Sequence, residues 1–501
     1  MLRVASFLVA ALFATGCAGR RPPDIDPSVR AHAEALVRAG CYRCLQEALA
    51  LYEGQAARRP AAAGRQRVRV LALLAARVRE LGLFGQPDWL AQGRALASTL
   101  PAASIERIFL DLVGMVREPT AAEGPDAWEP HQRQRARIDE LRARVQTELE
   151  PLSATDVVTA YFLRLFACVD NPLDTPPPLR VHRDVPLVAY RAALCGRERD
   201  AALAAVLARE PRFTEAHYFR AELIFSTGAL LSTESELNRL EAPFREMPAA
   251  AYLRGQVAMV MEDFARAVTQ FDIVLAQVPN QPRALLQRLE ALSYAGRSDA
   301  AQRAATTLIE LGTWFQGEAH YWRAWNRRQL KQLDEAALDI EAAKRLLFNA
   351  AVPKLAGLIA LDRDQLDKAL AELTTSIERK GDDCDVHFAL GQVHARRALW
   401  ADAARSFESA AGCSVDAQAD AAQRLAEIAA SPGEEGYQQR LIARAKRDRE
   451  LARAREGISA LNAANSFVRA AKPALARTWA QRAMAWEEWA GRARDLLARL
   501  P

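Results

Sequence analysis

The chain has 501 residues, half of them hydrophobic and 26% charged, with 67 Lys and Arg against 62 Asp and Glu for a formal net charge of +5. Aromatic residues make up only 7%, while alanine and leucine dominate, a composition suited to stacked helices with ample material for burial. The basic residues are scattered among acids, so nothing supports a nucleic-acid footprint.

In chain order, the first element is "MLRVASFLVAALFATGC", in which Arg3 precedes an unbroken apolar and small-residue run from Val4 to Ala14. Such a run is too short to anchor stably in a hydrocarbon layer about 30 Å thick, and its small residues before Cys17 suit a processing site. The stretch resembles a bacterial lipoprotein signal, which implies a signal peptide over 1–16, cleavage before Cys17 and lipid attachment to it. Ala14 departs from the Leu commonest in that family, and a plain cleaved signal with an incidental cysteine is the alternative. Ala18 after the cysteine, where the family's retention signal has Asp, implies an outer-membrane lipoprotein facing the periplasm; a secreted or soluble periplasmic protein is the other reading. Residues 17–27 form a tether, so the folded part stays near its membrane.

An N-terminal helical region spans 28–117: a degenerate helix pair over 31–53, broken at Gly40, then helical patterns at 62–82, 87–99 and 103–117. A linker, "EPTAAEGPDAWEP", occupies 118–130. Region 131–213 holds a charged helix at 131–149, an apolar one at 153–169, a proline-rich break at 171–179, and helices at 184–196 and 198–209.

From residue 214 a period takes over. "EAHYFRAE" at 215–222 returns as "EAHYWRAW" at 318–325, and Arg220, Arg254, Arg288 and Arg323 follow one another at spacings of 34, 34 and 35. With these arginines at position 7, position 8 holds Ala221, Gly255, Ala324, Gly357 and Gly391; position 20 holds Ala267, Ala301, Ala336, Ala369 and Ala403. Position 24 holds Leu237, Phe271, Ala305, Ile340, Leu373 and Phe407. Small residues at 8 and 20 let paired helices approach, and a larger one at 24 fills the gap.

These columns resemble the tetratricopeptide repeat, a 34-residue helix-turn-helix unit. The resemblance implies an all-α, right-handed α-solenoid with six repeats over 214–417, starting at Thr214, Pro248, Pro282, Gly317, Ala350 and Cys384. Leu289 in the small-residue column and Thr233 in the alanine column predict two distorted or wider units. A helical connector follows over 418–456, with a basic helix at 437–456; a repeat-like pair at 457–484 and a capping helix at 487–499 complete the C-terminal region, 457–501.

Six cysteines besides Cys17 fall as Cys41 with Cys44, Cys168 with Cys195, and Cys384 with Cys413, three local pairs suited to disulfides in an exported protein. Cys384 at position 1 and Cys413 at position 30 stand where the start of a unit's first helix meets the end of its second, and such a bond contributes about 3 to 4 kcal/mol. "CYRC" at a helix start also admits a redox pair, although no thioredoxin-like strand pattern accompanies it.

The family usually places Leu at position 7, so the arginines pose two readings: stems packed at seams with heads paired to acids, or a ladder facing an anionic ligand. The resemblance further implies that positions 2, 5, 9 and 12 line a concave face. There stand Tyr218, Tyr252, Tyr321, Trp325, Arg328 and Phe388, with Glu222, Gln256, Glu290 and Gln392. Aromatics among polar groups suit peptide binding, or they fill a tightly wound superhelix. Catalytic motifs, a cofactor fingerprint and metal-ligand spacing are absent from the sequence. The expected role is a non-enzymatic, membrane-anchored scaffold or adaptor for a protein or peptide partner; the alternative is an accessory subunit of a cell-wall or secretion enzyme.

Overall fold

The computed structural model describes residues 25–102, 104–115, 145–170, 182–195, 198–380, 383–430 and 435–501, without the side chains of 61, 146, 166–170, 195, 380 and 435–437. The predicted signal peptide, Cys17, nearly all of the tether, the linker at 118–130, most of the helix at 131–149 and the break at 171–179 lie outside the described residues. The Cys168 and Cys195 side chains lie outside them too. Two compact units result, one reaching to Ala251 and the other running in the main from Tyr252 to Pro501.

Among the described residues every regular element is helical. The first unit holds α1 (Pro27–Ala39), α2 (Tyr42–Ala56), α3 (Pro60–Leu81), α4 (Trp89–Ala97), α5 (Ile105–Met115), α6 (Val157–Asp170), α7 (Pro186–Cys195) and α8 (Arg199–Arg209), and the first repeat pair, α9 (Ala216–Ser226) with α10 (Leu230–Asn238). Local chemistry marks the ends. Asp26 accepts the Ser28 amide ahead of Pro27 to open α1, and Gly40 closes it at φ 73°, a left-handed conformation that costs a side chain about 1–2 kcal/mol.

Among the mostly apolar buried residues of this unit lies one charged cluster. Arg77 of α3 is 1% exposed, with its guanidinium carbon 4.0 Å from the Tyr190 ring centroid. Its nitrogens reach Glu80 at 3.1 Å, Glu215 at 3.5 Å and the Gly40 carbonyl at 3.3 Å. Glu215 also accepts the Tyr42 amide at 2.9 Å. Burial pushes the Glu215 carboxyl up to about 7 even though the Arg77 charge opposes it.

The remaining repeats are α11 (Pro248–Val260) with α12 (Phe264–Gln277), α13 (Pro282–Tyr294) with α14 (Ser298–Glu310), α15 (Gln316–Gln329) with α16 (Leu333–Leu346), α17 (Ala351–Asp362) with α18 (Leu366–Lys380), and α19 (Cys384–Arg396) with α20 (Trp400–Ala430). The architecture is an all-α solenoid of tetratricopeptide-type pairs. The packing columns hold physically. A Cβ built on Gly255 would stand 2.5 Å from the Phe271 ring, one on Gly357 2.6 Å from Leu373, and one on Gly391 2.6 Å from Phe407. All five position-20 alanines are fully buried.

Leu289, in the small-residue column, is fully buried. It shares a buried cluster with Ala305, sixteen residues on, so the large and small partners at positions 8 and 24 have simply exchanged places. Thr233, in the first unit, is likewise fully buried in its alanine column.

A further column is conformational. Position 15 is left-handed in all six repeats: Gly228, Glu262, Gly296, Lys331, Asp364 and Ala398 have φ between 56° and 82°. From the second repeat on, the amide of position 16 returns to the carbonyl of position 11, as in Asp263 to Ala258 and Leu399 to His394, each 2.9 Å.

At the C-terminal end the structure corrects the predicted boundaries. The second helix of the sixth repeat does not stop near 417 but continues to Ala430. The basic helix and the first helix of the last pair are one element, α21 (Glu435–Arg469), packed antiparallel to α20 and followed by α22 (Pro473–Ala483) and α23 (Glu487–Ala498). No proline interrupts it, and Gly457, at the expected start of the last pair, is a contact: a Cβ there would lie 2.7 Å from Trp489. Among the described residues no helix is long and apolar enough to cross a membrane.

Candidate partner-binding surface

The repeated phrase builds a clasp. In α15, Arg323 donates to Asp339 of α16 at 2.7 and 2.9 Å, while Arg327 at 2.6 Å and the His320 ring at 3.0 Å share the same carboxylate, which is 3% exposed. Arg323 also donates to Thr306 of the preceding α14 at 3.0 Å. In the first unit, Arg220 repeats the pattern: it reaches Glu236 of α10 and Asp200 of α8, both at 2.9 Å, and His217 meets Glu236. Burial alone would lift the Glu236 carboxyl, but the His217 hydrogen bond and the Arg220 charge outweigh it and hold the group below its ordinary value. Arg288 turns the other way and pairs with Asp272 on the preceding α12. Arg254 occupies the same column of α11. The guanidinium heads of Arg220, Arg288 and Arg323 are thus engaged with carboxylates on neighbouring helices.

The aromatics divide differently. Tyr321 and Trp325 of α15 join a ribbon through Trp322, which lies edge-on to both at 5.5 and 5.9 Å between centroids. Trp322 meets Tyr294 of α13 at 5.2 Å, and Tyr294 stacks on Phe264 of α12 at 5.1 Å. Tyr294 is 53% exposed, unusual for a ring with two aromatic neighbours. Beneath it, Glu290 receives hydrogen bonds from Trp322 and Gln287, yet burial leaves its carboxyl raised. Arg328 pairs with Asp362 of the next repeat at 2.8 Å.

Other predicted positions stand apart from the ribbon. Tyr252 packs on Phe271, 5.6 Å between centroids, and Phe388 packs edge-on to Phe407 at 5.4 Å. Tyr218, in the first unit, is 9% exposed and donates its hydroxyl to Glu222 at 2.7 Å. Reading positions 2, 5, 9 and 12 therefore missed Phe264, Tyr294 and Trp322. Three aromatics within "HYWRAW" were the available signal for Trp322; Tyr294, the last residue of its helix, had none.

The basic stretch of α21 faces this ribbon's outer end. Arg444 lies 3.2 Å from Glu262, the left-handed residue between α11 and α12, and Arg447 pairs with the same carboxylate. With Val260 and Phe264 they border a cavity of about 450 Å³. Farther along α21, Arg455 pairs with Asp385 and places its guanidinium carbon 5.1 Å from the centroid of the Phe388 ring.

Two predicted cysteine pairs are within bonding geometry: Cys41 with Cys44 at 5.0 Å between Cα atoms and Cys384 with Cys413 at 5.4 Å. Cys41 and Cys44 are both fully buried at the start of α2, where Cys41 Sγ accepts the Cys44 amide, so the pair offers no open sulfur to a redox partner. Among the described residues no cluster of three or more His, Cys, Asp or Glu could hold a metal ion.

No protein-family model matches the chain, and no curated protein matches it. Among solved structures, the MamA protein is 18% identical over 33% of this chain and 91% of its own, with a TM-score of 0.30. A tetratricopeptide repeat protein from Parabacteroides merdae is 10% identical over 53% of this chain and 97% of its own, with a TM-score of 0.36. The hetero-tetramer of Cut9 and Hcn1 gives 13% identity over 93% of this chain and 89% of the other, with a TM-score of 0.39. At these TM-scores none of the likenesses bears on a site or a partner.

Proposed function

We propose that the chain is a non-enzymatic protein-interaction scaffold that captures an extended peptide or a helix on the ribbon formed by Phe264, Tyr294, Trp322 and Trp325. The carrying observation is Tyr294. A half-exposed ring held by aromatic neighbours on both sides, with the Glu290 carboxylate near it, presents apolar area at low entropic cost, which is what interface anchors do. On this reading Arg220, Arg254, Arg288 and Arg323 are seams between helices rather than ligand contacts.

The scaffold works at the bacterial envelope, tethered through a lipid on Cys17 to the outer membrane and facing the periplasm. The export-like first sixteen residues and two bonded cysteine pairs support this placement.

A photo-crosslinking amino acid placed at Tyr294 in intact cells tests the reading, with Leu338, 74% exposed on α16, as the control position. One discrete protein adduct at 294 and none at 338 is expected. Equal labelling at both positions, or none at either, overturns it. Metabolic labelling with a fatty-acid analogue, lost in Cys17→Ser, checks the anchor.

A further inference from the structure

Helix α21 has two halves of different character. Its C-terminal half buries Glu456, Ser459, Ala460, Leu461, Ala463, Ala464 and Phe467 in the core of the last pair. Its N-terminal half, "YQQRLIARAKRDRELARAR" over 437–455, carries six arginines and a lysine, buries only Ala445 among its described side chains, and leaves Leu451 70% exposed. Apart from its antiparallel packing along α20, where Gln438 donates to the Ile428 carbonyl, apolar burial therefore does little to hold this half against the other helices.

What holds it to the repeats is charge. Arg444 and Arg447, one turn apart, close on Glu262; Arg455 pairs with Asp385 and covers the face of Phe388, one of the rings predicted to bind a partner. Arg444 and Arg447 are 53% and 55% exposed, a range in which an ion pair contributes little and is screened by salt. Glu262 adjoins Phe264, the terminal ring of the ribbon, across the cavity that Arg440 and Leu441 help to line. The contact is thus specific in charge pattern, weak in energy and placed at the end of the proposed binding surface.

We infer that residues 435–455 of α21 are an internal occupant of this surface, and that the partner is an arginine-bearing helix that displaces them from Glu262 and Asp385. The inference rests on the interaction reading above and adds the partner's chemistry: a cationic helix with basic residues spaced like 444, 447 and 455. The arm keeps the acidic end covered until such a helix arrives. Because it is covalently attached, it competes at a high effective concentration, which sets a threshold for the partner.

The test uses the full chain and a synthetic peptide of residues 435–456. The peptide is expected to bind the Arg444→Glu, Arg447→Glu double variant about five-fold more tightly than the wild type, and more weakly as salt rises. Adding Glu262→Lys to that variant restores the charge pairing with inverted signs. It should return hydrogen exchange across 437–452, raised in the double variant, to its wild-type rate and abolish the gain in peptide binding. Equal peptide affinity for wild type and double variant, or exchange unchanged by the double variant, overturns the inference. A discrete adduct at position 294 alongside either of those results leaves the scaffold reading standing and removes the arm; arm release and peptide binding with no adduct at 294 remove the scaffold reading and leave the arm.

Discussion

Asp339, buried on α16, is bound by Arg323 sixteen residues before it on α15, and Glu236 holds the same relation to Arg220 at the same spacing. In two of the four repeats, then, the column arginine takes a carboxylate at position 23 of its own repeat, whereas Arg288 pairs with Asp272 on the preceding one. Replacing Asp339 by Leu strands two partly exposed guanidinium groups and the His320 ring and is expected to cost about 3 kcal/mol, and Arg323→Leu about 1–2 kcal/mol, because Arg327 and His320 remain on the carboxylate. The double variant should cost at least ~1 kcal/mol less than the sum of the two, read by denaturant unfolding. Strict additivity would mean that the guanidinium does not staple these helices.

The glycines make a sharper pair of expectations. Gly391→Ala puts a methyl 2.6 Å from the Phe407 ring and should destabilise by about 1–3 kcal/mol, whereas Gly412→Ala, in mid-helix with nothing within 4 Å, should stabilise by about 0.5–1 kcal/mol. The reverse exchange applies at Ala398, whose φ of 60° is left-handed: Ala398→Gly should gain about 1 kcal/mol. Melting temperatures of the three variants under one buffer decide the signs.

Glu215 links stability to pH. Its folded carboxyl is raised from 4.5 to about 7, with burial the main cause, so the folded state prefers the protonated form. The resulting stabilisation is fully present below about 4.5 and is lost as pH rises through about 7. The unfolding free energy of wild type minus that of Glu215→Gln should fall by up to about 3 kcal/mol between those limits. A difference that stays flat or rises with pH would show that Arg77 holds the carboxylate ionised throughout.

Much of the fold was legible. Position 8 against position 24 is a contact within one helix pair, so Gly255 with Phe271 and Gly391 with Phe407 could be paired by spacing alone. Leu289 departs from its column because a column records one partner at a time, and the small Ala305 opposite it offsets its volume. The left-handed position 15 stayed hidden because four of its six residues are not glycine. They adopt that conformation because the next amide must reach back five residues to close the helix.

What the amino-acid order determined by itself is whatever repeats locally: the helices, their turns, the small-against-large packing of each pair and the all-α class. It also placed Cys384 beside Cys413, since their columns meet within one unit. Only the tertiary structure decided which carboxylate each arginine takes, that Phe264, Tyr294 and Trp322 complete the ribbon begun by Tyr321 and Trp325, and that a basic helix nearly two hundred residues downstream comes to rest on Glu262. The reason is range. Periodicity encodes neighbours one helix away, while a charged arm with no apolar stripe leaves no mark in sequence of where it docks.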